Sequence, residues 1–459
     1  MSALIKHQAG DRHTIALEPT DSAHLAATRR RLSSAQRGCL SAAGFDATAG
    51  SWALLHDAKG KLVRVLAGVD ARAPLAALAG LAMTLPEGSY HLAEESVLSD
   101  HRAAALGWAL GAYQFTRYCA PKRAPATLAV PSADLEPVQR LVAATALVRD
   151  LVNTPTEDLG PEQLADAVKR VAKAQRAKLR EWVGDALLEA NFPTIHAVGR
   201  ASHRAPRLVE LTWGKASDPK LVLVGKGVCF DTGGLNLKTG TGMRWMKKDM
   251  GGAAHALALA QLVMQAKLPV RLTLLIPTVE NSVAGSAIRP GDVITTRAGL
   301  HVEIDNTDAE GRLILCDALA YASEQMPDLI VDFATLTGAA RVALGADLPA
   351  LFANRDDFAE HVLAAGREVD DPLWRLPLWQ PYRELLDSYL ADFANAGCSH
   401  HAGAITAALY LERFVSAPTP WLHLDTYAWN DTDRPGRPRG GEAMGLRAVF
   451  AFLQRRFAR

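Results

Sequence analysis

The chain has 459 residues, of which 49% are hydrophobic and 22% charged, and its formal net charge is +1. This is an ordinary globular composition, long enough to bury a large core in two or more domains. The near-zero charge argues against a broad surface for nucleic acid or for an anionic membrane. The five cysteines are scattered and form no Cys-x-x-Cys pair, which indicates neither a disulfide framework nor a thiolate zinc site.

The N-terminal residues contain no apolar stretch of signal-peptide length. No apolar run approaches the roughly 20 residues that are needed to span a bilayer. We therefore expect a cytoplasmic protein without a membrane partner.

Residues 1–135 are predicted to form a smaller N-terminal α/β domain. Trp52–His56 and 62–66 read as two strands that flank the turn sequence Asp-Ala-Lys-Gly, which is typical of a hairpin. A helix is predicted over 101–118, and the proline-containing stretch that follows it punctuates the chain as linkers do. A further helix over 136–152 is predicted to join this domain to the next one.

Residues 136–459, including that linker helix, are predicted to form the larger domain. Its predicted strands and helices alternate: helix 161–172, strand 221–224, helix 253–265, strand 270–276, helix 313–325 and strand 329–333. This alternation predicts a mainly parallel central sheet flanked by helices. Residues 431–441, rich in Arg, Pro and Gly, are predicted to be a surface loop.

Residues 306–313 read Asn-Thr-Asp-Ala-Glu-Gly-Arg-Leu and lie between a predicted extended stretch, 300–305, and a predicted helix. On an extended segment Asp308, Glu310 and Arg312 would point the same way, since alternate positions share a face. Two hard oxygen donors beside a cation suit a metal-assisted hydrolytic site. Taken alone, the same residues more often form a Thr-x-x-Glu capping box at a helix N-terminus.

A second cluster of charges follows the predicted strand 221–224. The glycine-rich segment 224–234 contains Lys226 and Asp231, and Lys238 and Asp249 come shortly after it. A phosphate-binding loop is the alternative, but the Gly-x-x-x-x-Gly-Lys-Ser/Thr pattern is absent. These charges lie beside glycines or apolar residues, and buried charges need partners or a metal. Together with Asp308 and Glu310, they could bind two divalent cations.

These segments resemble the leucine aminopeptidase family of dinuclear metallo-exopeptidases. The motifs that carry the resemblance are 224–234, Lys238, 246–252 and the signature 306–313, with support from 153–155, 335–339 and 403–406. The resemblance spans about residues 140–459, and the first 135 residues resemble the family only loosely. Within the family the stretch after Asp425 looks closer to the peptidase B-like branch.

The resemblance implies a metalloaminopeptidase and gives roles residue by residue. The implied ligands of two metal ions are Lys226, Asp231, Asp249, Asp308 and Glu310. Asp231 and Glu310 would bridge the ions, and Asp308 would serve the exchangeable site. The tighter site would use Lys226 and Asp249. The implied catalytic pair is Lys238 and Arg312, and the implied substrate-binding residues are Met246, Thr335 and Gly338.

Elementary chemistry agrees with these implied roles. An amine that binds a metal must be neutral, so the pKa of Lys226 would have to fall well below its ordinary value of about 10.4. A charged Lys238 would stabilise the oxyanion of a tetrahedral intermediate. The guanidinium of arginine stays protonated near neutral pH, because its pKa exceeds about 12, so it cannot act as a base. Arg312 would therefore hold a bicarbonate ion that moves the proton, as the resemblance also implies.

The implied cofactors are two divalent ions per subunit, zinc or manganese, with magnesium or cobalt as further options in the exchangeable site, together with bicarbonate. The implied partners are peptide substrates and five further copies of the chain in a homo-hexamer. The stretch after His423-Leu424-Asp425 departs from the family, because Tyr427 and Trp429 stand where many members carry small residues. These bulky residues would reshape the side-chain pocket and put a preference for leucine in doubt.

The sequence also allows other interpretations of some residues and of the function. His423 and Asp425 could ligate a metal but are more typical of a structural strand end. The loop 399–401 is a weak candidate for substrate contact. A DNA-binding regulator is the rival function from another class, and a Cys-Gly or glutathione-turnover peptidase is a rival substrate assignment.

Overall fold

The computed structural model describes residues 3–7, 14–397 and 399–458. The chain divides into two compact units, Met1–Ala146 with Asp431–Arg439, and Leu147–Asn430 with Gly440–Arg459. The division predicted between residues 135 and 136 falls inside a helix, Ser132–Asn153, and stays a proposal.

The first unit is built on a six-stranded sheet. Its strands are β1 (Leu4–Lys6), β2 (Ile15–Thr20), β3 (Trp52–His56), β4 (Leu62–Gly68), β5 (Ser89–Leu92) and β6 (Thr127–Val130). Its helices are α1 (Leu25–Arg31), α2 (Ser34–Ala42), α3 (Pro74–Ala77) and α4 (His101–Gly111). The strand order is β1-β6-β5-β2-β4-β3, parallel except for the pairing of β3 with β4.

The predicted hairpin is confirmed, since β3 and β4 pair antiparallel across the turn. The helix predicted over 101–118 is right only as far as Gly111. Beyond it, the Gln114 side chain accepts a bond from the backbone N–H of Lys122 and donates one to the carbonyl of Arg123. These bonds hold a loop in which the chain turns back, so the helix does not continue.

The predicted connecting helix exists as α5 (Ser132–Asn153) and begins four residues before the predicted start. The carbonyl of Pro131 accepts bonds from the backbone N–H groups of Asp134 and Leu135, which explains the earlier start. Proline lacks an N–H but its carbonyl can still open a helix. The helix ends at Asn153, one residue after the predicted end and just before Thr154 and Pro155.

The second unit holds the remaining strands and helices. Its strands are β7 (Lys178–Val183), β8 (Arg207–Trp213), β9 (Lys220–Gly225), β10 (Gly227–Asp231), β11 (Arg271–Asn281), β12 (Val293–Thr295), β13 (His301–Glu303), β14 (Leu329–Ala334), β15 (Ala350–Ala353), β16 (Trp374–Arg375), β17 (Phe393–Ala394), β18 (Trp421–Asp425), β19 (Trp429–Asn430) and β20 (Gly440–Gly441). Its helices are α6 (Pro161–Gln175), α7 (Ala186–Glu189), α8 (Pro193–Gly199), α9 (Gly240–Met243), α10 (Gly251–Gln265), α11 (Glu310–Glu324), α12 (Gly338–Leu344), α13 (Asp356–Glu368), α14 (Gly403–Glu412) and α15 (Leu446–Arg456).

A mixed, mainly parallel sheet forms the centre of this unit. The strand order is β16-β15-β18-β14-β9-β11-β8-β7, and β10 also pairs with β11. The central strands β18, β14, β9, β11 and β10 all run parallel to their neighbours in this group. Strands β7, β8 and β15 are antiparallel to the strands beside them in this order, except that β15 is parallel to β16. The predicted fold class is confirmed.

Helices α6, α8, α10 and α11 pack against this sheet. Strands β14 and β18 are buried along their whole length, as expected for strands covered on both faces. The predicted strands at 221–224, 270–276 and 329–333 correspond to β9, β11 and β14, although β11 runs five residues further than predicted. Helix α11 begins at Glu310, three residues before the predicted start.

In the part of the chain that the structure describes, none of the helices is both long and apolar enough to cross a membrane. The cysteines at 39, 119, 229 and 316 are free thiols, and Cys398 lies outside the described residues.

Candidate active site

Chemistry-bearing side chains gather at one edge of the central sheet. Because β18, β14, β9, β11 and β10 are parallel, their carboxyl ends meet there, which is where ligand sites lie in open α/β sheets. The residues at or directly after these five ends are Asp425, Thr335, Lys226, Asn281 and Asp231. Two loops complete the edge: residues 232–250, which follow β10, and residues 304–309, which lead into α11.

Lys226 lies buried between two carboxylates. Its Nζ is 2.8 Å from Oδ2 of Asp249 and 2.9 Å from Oε1 of Glu310, and it donates to the carbonyl oxygen of Thr335 at 3.0 Å. A Cβ at position 311 would lie 2.5 Å from Cε of Lys226, so a larger residue there would displace the end of the lysine side chain. The structure thus brings together residues from β9, the 246–250 turn and the start of α11.

Lys238 forms a second group of the same kind. Its Nζ lies 2.8 Å from Oδ2 of Asp231 and also contacts the carboxylate of Asp308. Carboxylate oxygens of Asp231, Asp308 and Glu310 lie within 4.8 Å of one another. The two lysine–carboxylate groups are therefore neighbours in a single cluster.

The carboxylates are held in place by groups that the sequence did not single out. Asp231 Oδ1 accepts bonds from the backbone N–H of Gly233 and from Nδ2 of Asn281, both at 2.8 Å. Asn281 also donates to the carbonyl of Thr307. One oxygen of Asp231 is therefore fixed by the protein, and the other faces Lys238. Asn281 is the last residue of β11 and lies in the segment 277–281, which was not predicted to be strand.

The capping-box reading of residues 307–310 is wrong. Helix α11 has Ala309 at its N-cap, without a side-chain cap. The Thr307 hydroxyl bonds instead to the carbonyl of Gly233 at 2.6 Å and to the Asn236 side chain at 2.9 Å. The threonine is therefore used to join two loops, and Glu310 opens the helix while facing the cluster.

Arg312 does not converge with Asp308 and Glu310 as the extended pattern predicted. The helix starts at Glu310, so alternate positions no longer share a face. The Arg312 guanidinium donates to the carbonyl of Asn395, and it is absent from the described residues that line the cavity. Burial lowers the pKa of Arg312, partly offset by Tyr410 and Glu310. Within the described residues no carboxylate lies at ion-pair distance from it.

Neighbouring carboxylates raise the pKa values of both lysines. Burial by itself disfavours the charged form of Lys226, but Asp249, Glu310 and Asp231 outweigh burial and raise its pKa. The pKa of Lys238 is raised in the same way, because Asp231, Glu310 and Asp308 outweigh its burial.

The pKa values of two carboxylates in the cluster are raised as well. Burial and the charge of Asp231 raise the pKa of Asp308 to about 6, against the opposing effect of Lys238. Burial, with Asp231 next in importance, raises the pKa of Glu310 well above its ordinary value. A cluster with this much negative charge in so little water favours additional cations.

A cavity of about 430 Å³ opens onto the cluster. The three residues proposed to bind substrate, Met246, Thr335 and Gly338, line it. Tyr427 also lines the cavity. Among the lining residues that the structure describes, Trp429 is missing, and its ring instead packs 5.0 Å from that of Trp245. Of the two bulky residues, Tyr427 alone therefore bears on the shape of the pocket.

His423 is part of a buried structural pair. Its Nδ1 lies 2.5 Å from Oδ1 of Asp332 on the adjacent strand, and both side chains are inaccessible to solvent. Asp425 accepts bonds from the backbone N–H groups of Leu336 and Thr337. The structural reading of this strand end is confirmed. Neither Ser399 nor the two histidines after it line the cavity, as far as the described residues go.

Comparison with known proteins shows the family to which the chain belongs. Residues 146–450 match the model of the cytosol aminopeptidase family, catalytic domain, and residues 15–131 match the M17 aminopeptidase N-terminal domain. A probable cytosol aminopeptidase of Syntrophotalea carbinolica is 41% identical over 367 residues, which cover 76% of this chain and 73% of the relative.

Solved structures with the same fold include one that matches nearly the whole length of this chain. The cytosol aminopeptidase of Coxiella burnetii superimposes with a TM-score of 0.95 at 48% identity, covering 99% of each chain. The bottromycin maturation enzyme BotP, solved in complex with Mn, superimposes with a TM-score of 0.86 at 34% identity, covering 96% of this chain and 99% of BotP. The chain belongs to the cytosol aminopeptidase family and is a metalloaminopeptidase.

Proposed function

We propose that this chain hydrolyses the N-terminal peptide bond of peptides by means of two divalent cations, with Lys238 as electrophile and Arg312 as the holder of a bicarbonate ion. The proposed ligands are Lys226, Asp231, Asp249, Asp308 and Glu310. When bound, two such ions lower the pKa of a shared water and polarise the scissile carbonyl. Zinc or manganese is proposed, with magnesium or cobalt as alternatives in the exchangeable site.

One observation carries the proposal: the carboxylates of Asp231, Asp249, Asp308 and Glu310 surround Lys226 and Lys238 at the carboxyl edge of the sheet, where a cavity opens. The donor set fits divalent cations, because hard cations take carboxylate oxygens. Among the described residues, three buried oxygens of the cluster face only a lysine ammonium: Oδ2 of Asp249 and Oε1 of Glu310 face Lys226, and Oδ1 of Asp308 faces Lys238. A divalent cation would supply positive charge to the same oxygens.

Lys226 must release a proton before its amine can bind a cation. The neighbouring carboxylates raise its pKa, so proton and dication compete for the same place. Asp231 and Glu310 lie between the two lysines and are proposed to bridge the ions. Asp308, whose side chain is 33% exposed, is the most accessible of the four carboxylates and suits the exchangeable site.

Lys238 is held charged by Asp231 and Asp308, and it lines the cavity. An ammonium at this place stabilises the oxyanion that develops as water adds to the carbonyl. Arg312 is a half-buried cation with no carboxylate partner among the described residues, and a planar guanidinium suits a planar oxyanion such as bicarbonate. Arg312 would therefore hold the bicarbonate ion, which would supply a group able to accept and donate a proton.

The cytoplasmic location, the peptide substrates and the homo-hexamer complete the proposal, and they are carried by the likeness to cytosol aminopeptidases. Light scattering on the purified chain measures the assembly directly. A mass of six chains is expected, and a monomer would contradict the hexamer without affecting the chemistry.

Hydrolysis of amino-acid 4-nitroanilides and dipeptides with added Mn²⁺ or Zn²⁺ tests the activity. Activity should disappear on chelation, return with metal, and be lost in Asp308→Ala. The matched control is Asp328→Ala, which removes a carboxylate that caps β9 away from the site. Hydrolysis that survives both chelation and Asp308→Ala would overturn the two-metal proposal.

A further inference from the structure

Asn395 directs all its hydrogen bonds to one short stretch of the chain. The residue is fully buried and follows directly on β17. Among the residues that the structure describes, it forms two hydrogen bonds through its backbone and four through its side-chain amide. Every partner lies within residues 303–312, the segment that carries Asp308, Glu310 and Arg312.

The side chain of Asn395 fixes the loop that leads into α11. Its Oδ1 accepts the backbone N–H groups of Asp305 at 2.9 Å and of Asn306 at 3.2 Å. Its Nδ2 donates to the carbonyl of Asn306 at 2.8 Å and to that of Ala309 at 3.4 Å. A primary amide offers two N–H donors and two acceptor lone pairs, so all of them are used. Asp308 lies between the held residues, and its backbone is fixed with theirs.

The backbone of Asn395 holds the far side of the same segment. Its carbonyl oxygen accepts a hydrogen bond from the guanidinium of Arg312, and its N–H donates to the carbonyl of Glu303 at 2.9 Å. In the described part of the chain this carbonyl is the only hydrogen-bond acceptor of the guanidinium. Because a half-buried cation needs a partner, the carbonyl determines where the Arg312 side chain points.

Asn395 is carried on a rigid support. Strand β17 pairs in parallel with β13, the strand that precedes the Asp308 loop. Phe393, two residues before Asn395, packs its ring 5.5 Å from that of Tyr410 and 6.0 Å from that of Phe414. Groups that support a metal ligand are effective when packing locks them in place. The position of Asn395 therefore suits an anchor for its partners.

We propose that Asn395 is a positioning residue for the reaction, because it sets the separation between the carboxylate of Asp308 and the guanidinium of Arg312. The inference rests on the proposed function, in which Asp308 holds a divalent cation and Arg312 a bicarbonate ion. Asn395 is absent from the described residues that line the cavity, so it acts through these two residues. Its side chain governs the loop, and its carbonyl governs the arginine.

Replacement of Asn395 by leucine removes the four side-chain bonds and keeps a side chain of similar size. In calorimetric titration of the metal-free enzyme, the affinity of the weaker Mn²⁺ site should fall about tenfold, because Asp308 loses its support. The kcat for leucine 4-nitroanilide should fall about 100-fold while KM changes little, since a reacting group is displaced. A wild-type Mn²⁺ affinity and kcat in this variant would overturn the proposal.

Asn354 provides a matched control, because its amide also joins two distant segments. It donates to the carbonyl of Thr419 and accepts the backbone N–H of Trp421, both at 2.8 Å. Trp421 opens β18, at the edge of the sheet opposite to Asp425. Asn354→Leu should lower the melting temperature but leave Mn²⁺ affinity and kcat unchanged. If it lowers both as much as Asn395→Leu does, the effect is a general loss of stability and contradicts the positioning role.

A double-mutant comparison tests the link between Asn395 and Arg312. Because residues that act through one another are not additive, Asn395→Leu should cost less activity in an Arg312→Met background than in the wild type. Losses that simply multiply would contradict the link. If the leucine variant does not fold, Asn395→Ser leaves room for water and should change Mn²⁺ affinity and kcat in the same direction. Wild-type values in a folded serine variant would then overturn the proposal.

The Mn²⁺ titration separates this inference from the proposed function, since it needs no turnover. A wild type that binds Mn²⁺ but cleaves neither dipeptides nor anilides would overturn the proposed function, and the affinity of Asn395→Leu would still decide the positioning of Asp308. An active wild type beside an Asn395→Leu variant with unchanged affinity and kcat would overturn the positioning role alone.

Discussion

The hydroxyl of Thr307 donates to the carbonyl oxygen of Gly233 at 2.6 Å, across 74 positions of sequence. This bond joins the loop that carries Asp308 to the loop that carries Lys238. The same threonine oxygen accepts the backbone N–H of Asn236 at 2.8 Å, so the connection is double. The spacing between the two lysine–carboxylate groups therefore depends on a residue that itself holds no substrate or ion.

Replacement of Thr307 by valine should weaken both metal binding and catalysis. Valine keeps the shape but removes the donor to the carbonyl of buried Gly233 and the acceptor of the Asn236 N–H, which should cost about 1–3 kcal/mol of unfolding free energy. A small displacement of Asp308 should lower kcat by about 100-fold. Thr307→Ser keeps the hydroxyl and serves as the control in urea unfolding and steady-state assays. Equal losses in the two variants would show that the hydroxyl does not matter.

Lys238→Met should lower kcat by about 100- to 1000-fold, because it removes the cation proposed to stabilise the oxyanion. Metal content, measured by elemental analysis, should not fall, since a positive charge beside Asp231 and Asp308 has been removed. Lys238→Arg keeps the charge and should retain more activity than the methionine variant. If the methionine variant stays fully active, Lys238 is not the electrophile.

Metal binding should release protons and strengthen as pH rises. The pKa of Asp308 is raised to about 6 and that of Lys226 lies above its ordinary value, so below these values each group holds a proton that a cation must displace. Affinity should then rise about tenfold per pH unit for each proton released. Calorimetric titration with Mn²⁺ at pH 6 and pH 8, in two buffers of different ionisation enthalpy, counts the protons. Lys226→Met should release at least one proton fewer, and an unchanged count would exclude the amine as a ligand.

The sequence predicted the parts of this molecule that local pattern determines. The short apolar runs at 221–224 and 329–333 became β9 and β14, because strands buried on both faces are uniformly apolar. The motif residues Lys226, Asp231, Asp249, Asp308 and Glu310 do meet in one cluster, since parallel strands bring their carboxyl ends together.

What the sequence could not predict depends on contacts between distant segments. Asn395 is fully buried, and its side chain accepts the backbone N–H groups of Asp305 and Asn306 and donates to the carbonyl of Asn306. Nothing in its local pattern distinguishes it from a surface asparagine. The direction of Arg312 was missed for a related reason. Whether alternate positions share a face depends on where the helix begins, and Thr307 bonds to the distant Gly233 and Asn236 and does not cap the helix.

A buried ion pair between neighbouring strands makes stability depend on pH. His423 on β18 lies opposite Asp332 on β14, and Trp421 donates its indole N–H to the second oxygen of Asp332 at 2.6 Å. Burial alone would lower the pKa of His423, but the charge of Asp332 and its hydrogen bond raise it above the ordinary value. The imidazolium is therefore the form that this fold stabilises.

The pair should stabilise the protein most at mildly acidic pH. Because the folded pKa of His423 lies above the unfolded value of about 6.5, its contribution is complete below that pH and is lost as pH rises through the folded pKa. His423→Leu leaves a buried carboxylate without its cation, which should cost about 3–5 kcal/mol at pH 6 and less at pH 9. Thermal and urea unfolding at both pH values measure the difference. His361→Leu, at an exposed position of α13, is the control and should show no such dependence. A loss in His423→Leu that is the same at pH 6 and pH 9 would mean that the histidine stabilises the sheet through packing against Phe352 and Trp421 rather than through its charge.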